Sequence, residues 1–265
     1  MARRPDSQQQ TPPWRWAIVG ALVGVVGATV ALAPARWLAA IVSQASGQHI
    51  TLPSARGSIW QGSSQLVLSG GEGSVNAVAL PGQISWHIRP LWSGLSVHIT
   101  ADCCTPQPLQ LRVLSMGWNG LRMVLDDGQS QWPASLLAGL GTPWNTVQAQ
   151  GQLTASTQDL TVEWTQGRLN LSGRVQLDAL NVSSRLSTLS PMGSYRFTLQ
   201  GGASPTLDLT TLEGSLQLTG QGQWVGQRLR FNGVASAAPE RVEALSNLLN
   251  ILGRRDGARS IITVG

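Results

Sequence analysis

The run Arg168-Leu169-Asn170-Leu171-Ser172-Gly173-Arg174-Val175-Gln176-Leu177-Asp178 decides the fold of this chain. Leu169, Leu171, Val175 and Leu177 alternate with polar side chains, and Gly173 falls in step with the apolar set. Successive side chains of a strand point to opposite faces, so this period of two makes a strand with one buried and one solvated face. The same period returns on both sides. It is read in Ile84, Trp86 and Ile88; in Leu95, Val97 and Ile99; in Leu121, Met123 and Leu125; and in Leu160, Val162 and Trp164. It continues in Tyr195, Phe197 and Leu199, in Leu216, Leu218 and Trp224, and in Leu229 and Phe231.

Turn signals part the runs: Asn119-Gly120, Asp127-Gly128, Gln166-Gly167, Gly201-Gly202 and Val225-Gly226 suit tight hairpins. The pattern predicts an antiparallel meander of long strands. Glycines inside strands mark bends, bulges or close backbone approach, so Gly173, Gly220 and Gly222 predict a strongly curved sheet. Such a sheet must cover its apolar face by curling, by a second sheet or by a helix. Two segments can supply helices. Trp132 to Leu137 carries Pro133 in its first turn and stops at Gly139 and Gly141. From 239 to 253, Val242, Leu245, Leu248, Leu249 and Leu252 form one apolar stripe that Gly253 ends, predicting an amphipathic helix that closes an open end or edge of the sheet.

The N-terminal region reads differently. Between Arg15 and Arg36 the chain is WAIVGALVGVVGATVALAPA, without one ionisable side chain. About 20 apolar residues suffice for a helix to cross a bilayer, so 14–34 reads as a transmembrane helix, 1–13 as a cytoplasmic tail and 35–49 as a membrane-proximal connector. Arg3, Arg4 and Arg15 precede the span and only Arg36 follows closely, which keeps the N-terminus cytoplasmic. Ala31-Leu32-Ala33 outlines a signal-peptidase site as the rival reading, but Pro34 would then open the mature chain. Gly20, Gly24 and Ala28 recur every four residues and make a smooth face for packing against another membrane helix.

Beyond the span, about 210 residues remain, enough for one large β domain or two small ones; no linker divides them, so 50–265 reads as one domain. Charged residues are 12% of the 265, and the net charge of +5 comes from arginine alone, since the chain has no lysine. The arginines are scattered singly along strands rather than clustered, which argues against a nucleic-acid partner. Three histidines and 13 acids are a thin supply for catalysis, and no nucleophile-elbow, Walker, zincin or dinucleotide motif occurs. His87 and His98 flank the Pro90-Leu91-Trp92 turn and could meet across a hairpin, but lack a third metal ligand. The reading is therefore no enzyme, no cofactor and no metal. Cys103 and Cys104 are adjacent; Cα atoms about 3.8 Å apart fall below the usual disulfide range, so a bond between them would be strained, and two thiolates alone do not complete a tetrahedral metal site. Their redox state stays open. Eleven tryptophans would mean ligand binding only along an exposed groove; Trp86, Trp164 and Trp224 fall on apolar faces and read as core.

Several blocks together resemble the type II secretion system protein N family, bitopic inner-membrane proteins of the machinery that exports folded proteins across the bacterial outer membrane. Ala55-Arg56-Gly57-Ser58-Ile59-Trp60-Gln61-Gly62 is similar to its G-T-x-W-x-G element, and Leu80-Pro81-Gly82-Gln83-Ile84-Ser85-Trp86 to its strand ending in tryptophan. Met192 to Arg196, Leu209 to Leu216, Gly220 to Trp224 and Phe231 to Ala235 follow in order before the closing helix. Ser58 stands where threonine is expected. The resemblance implies a non-enzymatic accessory or structural component of type II secretion, anchored in the inner membrane with a periplasmic β domain. Its implied partners are other secretion components, the inner-membrane platform and the secretin among them. It carries no catalytic residues over; Gly57, Trp60, Gly62, Tyr195, Gly214 and Trp224 are candidate scaffold or partner contacts. The alternative reading is a lipid-binding or lipid-transfer module with an apolar β-groove, decided by whether the face bearing Leu169, Leu171, Leu216 and Leu218 is open or closed.

Overall fold

The computed structural model describes residues 14–265 except Val75, Trp118, Pro143 and Gln227, with Arg15 described by its backbone alone. The expected tail 1–13, with Arg3 and Arg4, and the Arg15 side chain lie outside the described residues. Helix α1 (Trp14–Ala31) is built mostly of Ala, Val, Leu and Gly after its Trp14-Arg15-Trp16 start and exposes nearly every side chain. Pro34, extended at φ −73° and ψ 149°, separates it from helix α2 (Ala35–Ala45). Proline lacks the N–H that would continue the helix, so the expected span over 14–34 ends early and much of 35–49 is itself helical. Eighteen residues rise only ~27 Å, and no helix among the described residues is long and apolar enough to cross a membrane.

The strands follow in chain order: β1 (Ile50–Thr51), β2 (Arg56–Gly57), β3 (Gln61–Ser64), β4 (Val67–Ser69), β5 (Ala77–Ala79), β6 (Ile84–Leu91), β7 (Gly94–Ala101), β8 (Leu109–Ser115), β9 (Gly120–Leu125), β10 (Gly128–Pro133), β11 (Gln150–Thr165), β12 (Arg168–Ser183), β13 (Gly193–Gln200), β14 (Thr206–Gly214), β15 (Leu216–Val225), β16 (Arg228–Ala237), β17 (Arg254–Asp256) and β18 (Arg259–Val264). β1, β4 and β5 make a small sheet. The other strands form one large antiparallel sheet in the order β17-β18-β16-β15-β14-β13-β12-β11-β9-β8-β7-β6-β3-β2, with β10 beside β11. β2 and β17 end the order as separate edges, so the sheet is open and no barrel forms.

The meander departs from expectation at Asp127-Gly128. No hairpin forms there, because β9 and β10 both pair antiparallel with β11, β9 along Leu160–Thr165 and β10 along Gln152–Thr157. They are one interrupted strand, and only β9 carries the sheet onward to β8. At the same level the β11–β12 ladder slips between Gln158 and Thr161. Asp159 takes φ +49° and Gly173 φ +89°, and a Cβ on Gly173 would stand 2.3 Å from the Asp159 carbonyl oxygen, so only glycine fits the bulge. Gly220 and Gly222 have another purpose: they clear space for the Phe231 ring, which lies across them.

Three apolar clusters cover the sheet in parts. Helix α4 (Val242–Leu252), entered through a 3₁₀ turn at Pro239–Arg241, lies within the expected 239–253. Its Leu245, Leu248 and Leu249 pack on Tyr195, Leu209, Leu216, Phe231 and Ala235. Gly253 ends it in extended backbone, where a Cβ would meet the Ile261 carbonyl at 2.2 Å. The second expected helix starts later than read: Trp132 and Pro133 close β10, and Ala134–Leu140 is a 3₁₀ helix that helps form the other two clusters, around Leu80, Ala101 and Cys104 and around Ala149, Leu153 and Ala179. A four-residue helix, α3 (Trp144–Val147), follows it. Cys103 and Cys104 are joined in a disulfide at a Cα separation of 3.7 Å, within the turn after β7.

Between these clusters the apolar face is bare. Met123, Val162 and Leu171 are half-buried, and Leu121, Trp164 and Leu169 are exposed, with Trp164 at 50% and Leu169 at 61%. Trp86 is buried as expected and Trp224 half-buried, but Trp164 is not core, because among the described residues no helix or second sheet reaches it.

Candidate functional site

The Arg56–Gly62 segment is the joint between the N-terminal helices and the sheet. β2 and β3 pair Arg56 with Ser63 and Gly57 with Gly62, and the turn between them is tied by the Ser58 N–H donating to the Gln61 carbonyl at 2.8 Å. The Ser58 hydroxyl accepts from the N–H groups of Trp60 (3.2 Å) and Gln61 (3.1 Å), which a threonine hydroxyl would do equally. Gly57 sits at φ +90° with no room for a Cβ against the Gln61 carbonyl. At Gly62 a Cβ would collide at 2.5 Å with the Trp86 ring, whose indole N–H donates to the Ser58 carbonyl at 3.3 Å.

This turn grips the end of α1. The Trp60 indole N–H donates to the Val30 carbonyl at 2.9 Å, the Ile59 N–H donates to the Ala33 carbonyl at 2.9 Å, and Pro34 bridges Ser58. The Val30 carbonyl in the last turn of α1 and the Ala33 carbonyl just beyond it thereby find donors in the domain. Beside the joint lies a cleft of about 460 Å³ whose lining includes Arg56, Gln61, His87 and His98, and no acid. His87 and His98 face each other across the β6–β7 ladder, as their flanking of the turn suggested. The His98 Nδ1 is buried without a hydrogen-bond partner, and no group of three metal-binding side chains occurs among the described residues.

Tyr195 lies in a second place, under α4, while Gly214 is exposed at the end of β14. Gly193 pairs with Gly214, where a Cβ would lie 2.2 Å from the Gly193 Cα. The Tyr195 hydroxyl donates to the Leu216 carbonyl at 3.1 Å, and burial pushes its phenol well above the usual range. A neutral hydrogen-bonded phenol at 4% exposure anchors packing rather than presenting a reactive group. Trp224 is remote from both, near the β15–β16 turn, pairing with Leu229. On the polar face Arg196 grips Asp178 through two bonds of 2.7 and 2.8 Å, and this hydrogen bonding holds the Asp178 carboxyl below its ordinary value against the opposing effect of burial. Gly20 and Gly24 have no neighbouring atoms where side chains would be, so the face they form with Ala28 is free along α1.

The residues singled out in the sequence thus fall into a joint (Gly57, Trp60, Gly62), a core residue (Tyr195), an exposed close backbone approach at a strand end (Gly214), an outlier (Trp224) and an open helix face (Gly20, Gly24, Ala28). Ser58 entered the sequence reading only as a departure from a motif, yet its hydroxyl organises the joint. The acceptors Val30 and Ala33 carried no signal, because backbone carbonyls have none. These features define the class: an open antiparallel β-sheet domain fastened to an exposed apolar helix. Residues 48–262 match the family model of type II secretion system (T2SS), protein N, and the chain belongs to that family. The match begins after α2, so the joint, the sheet and α4 are its content. No curated protein and no solved structure matches the chain. Membership makes the chain a component of type II secretion, a family of accessory proteins that works alongside the other components of the machinery.

Proposed function

We propose that this chain is a non-enzymatic accessory component of the type II secretion system, held in the inner membrane by residues 14–34, with its N-terminus cytoplasmic and its β domain periplasmic. One observation carries the anchor: α1 is apolar and solvent-exposed, with Leu22, Val23, Val25 and Val26 all above 60%, a surface that water does not tolerate. The helix is slightly short, but Leu32 N–H donates to the Ala28 carbonyl and Ala33 N–H to the Val30 carbonyl, which carries the hydrogen-bonded backbone two residues further, to Pro34. A small mismatch is absorbed by local thinning of the bilayer. The role beyond the anchor follows family membership, with the inner-membrane platform and the secretin as partners. The test is a deletion strain combined with affinity capture of the full chain from detergent-solubilised membranes. Lost or impaired export with copurifying platform or secretin subunits supports the reading; normal export without any secretion component captured removes it.

The lipid-binding alternative has its own observation. The face that decides it is half closed, since Leu216 and Leu218 are packed beneath α4 while Leu169 is 61% exposed and Leu171 is half-buried. Lipid found by mass spectrometry of the purified chain, and lost in Leu171→Gln, would favour a groove.

A further inference from the structure

The exposed apolar residues of the sheet are not spread evenly. Three neighbouring hairpin tips stand side by side on one rim: Trp92-Ser93 between β6 and β7, Met116, Gly117 and Asn119 between β8 and β9, and Gln166-Gly167 between β11 and β12. Backbone bonds run from tip to tip, the Ser115 N–H to the Ser93 carbonyl and the Gln166 N–H to the Asn119 carbonyl. Leu91, Trp92, Leu95, Met116, Leu121, Trp164 and Leu169 are all exposed here, Trp92 completely, at 108%. Leu121, Trp164 and Leu169 form one cross-strand row.

Two further facts say what covers this rim. The first is continuity with α1. The β2–β3 turn that holds the helix end lies on the same rim, because Gln61 pairs with His87 and the Trp60 carbonyl accepts from the Ile88 N–H at 2.6 Å, on the tip side of β6. Strands advance about 3.4 Å per residue, so Trp92, just past the end of β6, stands roughly 14 Å beyond that junction at Ile88. The second is charge. In 88–97, 112–123 and 161–171 the only acid is Glu163, and Arg122 pairs with it at 2.8 Å. Arg89 and Arg168 are exposed at the tips with no acid in ion-pair distance among the described residues. Tryptophan and leucine with unopposed arginine, beside the exit of an apolar helix, is the composition that settles at a lipid–water interface of anionic headgroups.

We infer that these three hairpin tips dip into the interface of the membrane that α1 enters, so that the sheet stands on the bilayer by one rim and the loop 184–192 faces away from it. The inference builds on the anchoring proposed above, and the test separates the two. The full chain is reconstituted in vesicles of phosphatidylethanolamine and phosphatidylglycerol, with spin labels at Ser93→Cys, Gln166→Cys, Thr188→Cys or Val23→Cys, all exposed positions; Cys103 and Cys104 are bonded to each other and take no label. Oxygen and water-soluble nickel chelate then report immersion in lipid. The inference expects Ser93 and Gln166 labels to shift toward high oxygen and low nickel accessibility while the Thr188 label stays aqueous. Aqueous labels at Ser93 and Gln166 overturn it, with the Val23 label deciding separately whether the anchor stands. Tip labels that lose mobility without gaining oxygen accessibility point to a protein partner or a second copy on this rim, and overturn it equally.

Discussion

At Gly62 one missing methyl group allows the Trp86 ring to lie against the β2–β3 pair, and that ring in turn hydrogen-bonds the turn that holds α1. Gly62→Ala forces a carbon into the ring and into the Arg56 carbonyl, an overpacking that costs about 1–3 kcal/mol. A lowered thermal midpoint of the full chain in detergent is the expected result; an unchanged midpoint would show that the turn gives way freely. Asp178 carries a prediction with a definite sign. Its native carboxyl is depressed by Arg196, so its contribution is present above the unfolded carboxylate pKa of about 4 and is lost as pH falls through the lower native value. Arg196 is 38% exposed along its side chain, which limits the contribution to about 1 kcal/mol or less. Asp178→Asn should therefore lower stability at pH 7 but flatten its decline in acid, as followed by urea titration at both pH values. At this scale Gly57, Trp60 and Gly62 were legible as a spaced glycine–tryptophan–glycine pattern, whereas Ser58 offered only a hydroxyl like that of many other serines in the chain.

Among the elements, α4 is where the sequence and the structure agree most closely, since five leucines and valines at helical spacing leave little choice of face. Leu249 is fully buried against the β13–β16 face, and Leu249→Ala removes about 2–5 kcal/mol with the cavity it leaves. Amide exchange should then quicken in β16 and β18. Leu169→Ala, the same change on β12 at a position 61% exposed, should change stability by less than about 0.5 kcal/mol, and the contrast between the two melts checks the partition into covered and bare face. The strands were readable from alternation, but β1 and β2 are two residues each, too short for a period to register. Asp127-Gly128 misled for a different reason. Turn residues report a local change of chain direction, and whether the next strand folds back or resumes beside the same partner depends on β11, which lies 22 or more positions further along.

For the whole molecule, cover is uneven, and so must be opening. Backbone amides in β13 and β14, beneath α4, should exchange slowly, and those of Leu160–Leu171, outside all three clusters, markedly faster in detergent. Equal protection along both would mean that the bare face is covered by something the chain itself supplies. The rim of hairpin tips was not legible beforehand, because Trp92, Leu121, Trp164 and Leu169 become neighbours only through register. The strand order holds one more consequence. Apart from β10, the large sheet follows chain order from β6 to β16, and most strands touch only the one before and the one after. Stability in such an arrangement is a sum of nearest-neighbour terms, as in a stack of repeats. A family built this way can gain or lose a hairpin in its middle without redesigning either end: the reach from the membrane joint to the α4 cap is a length that evolution can set one strand pair at a time.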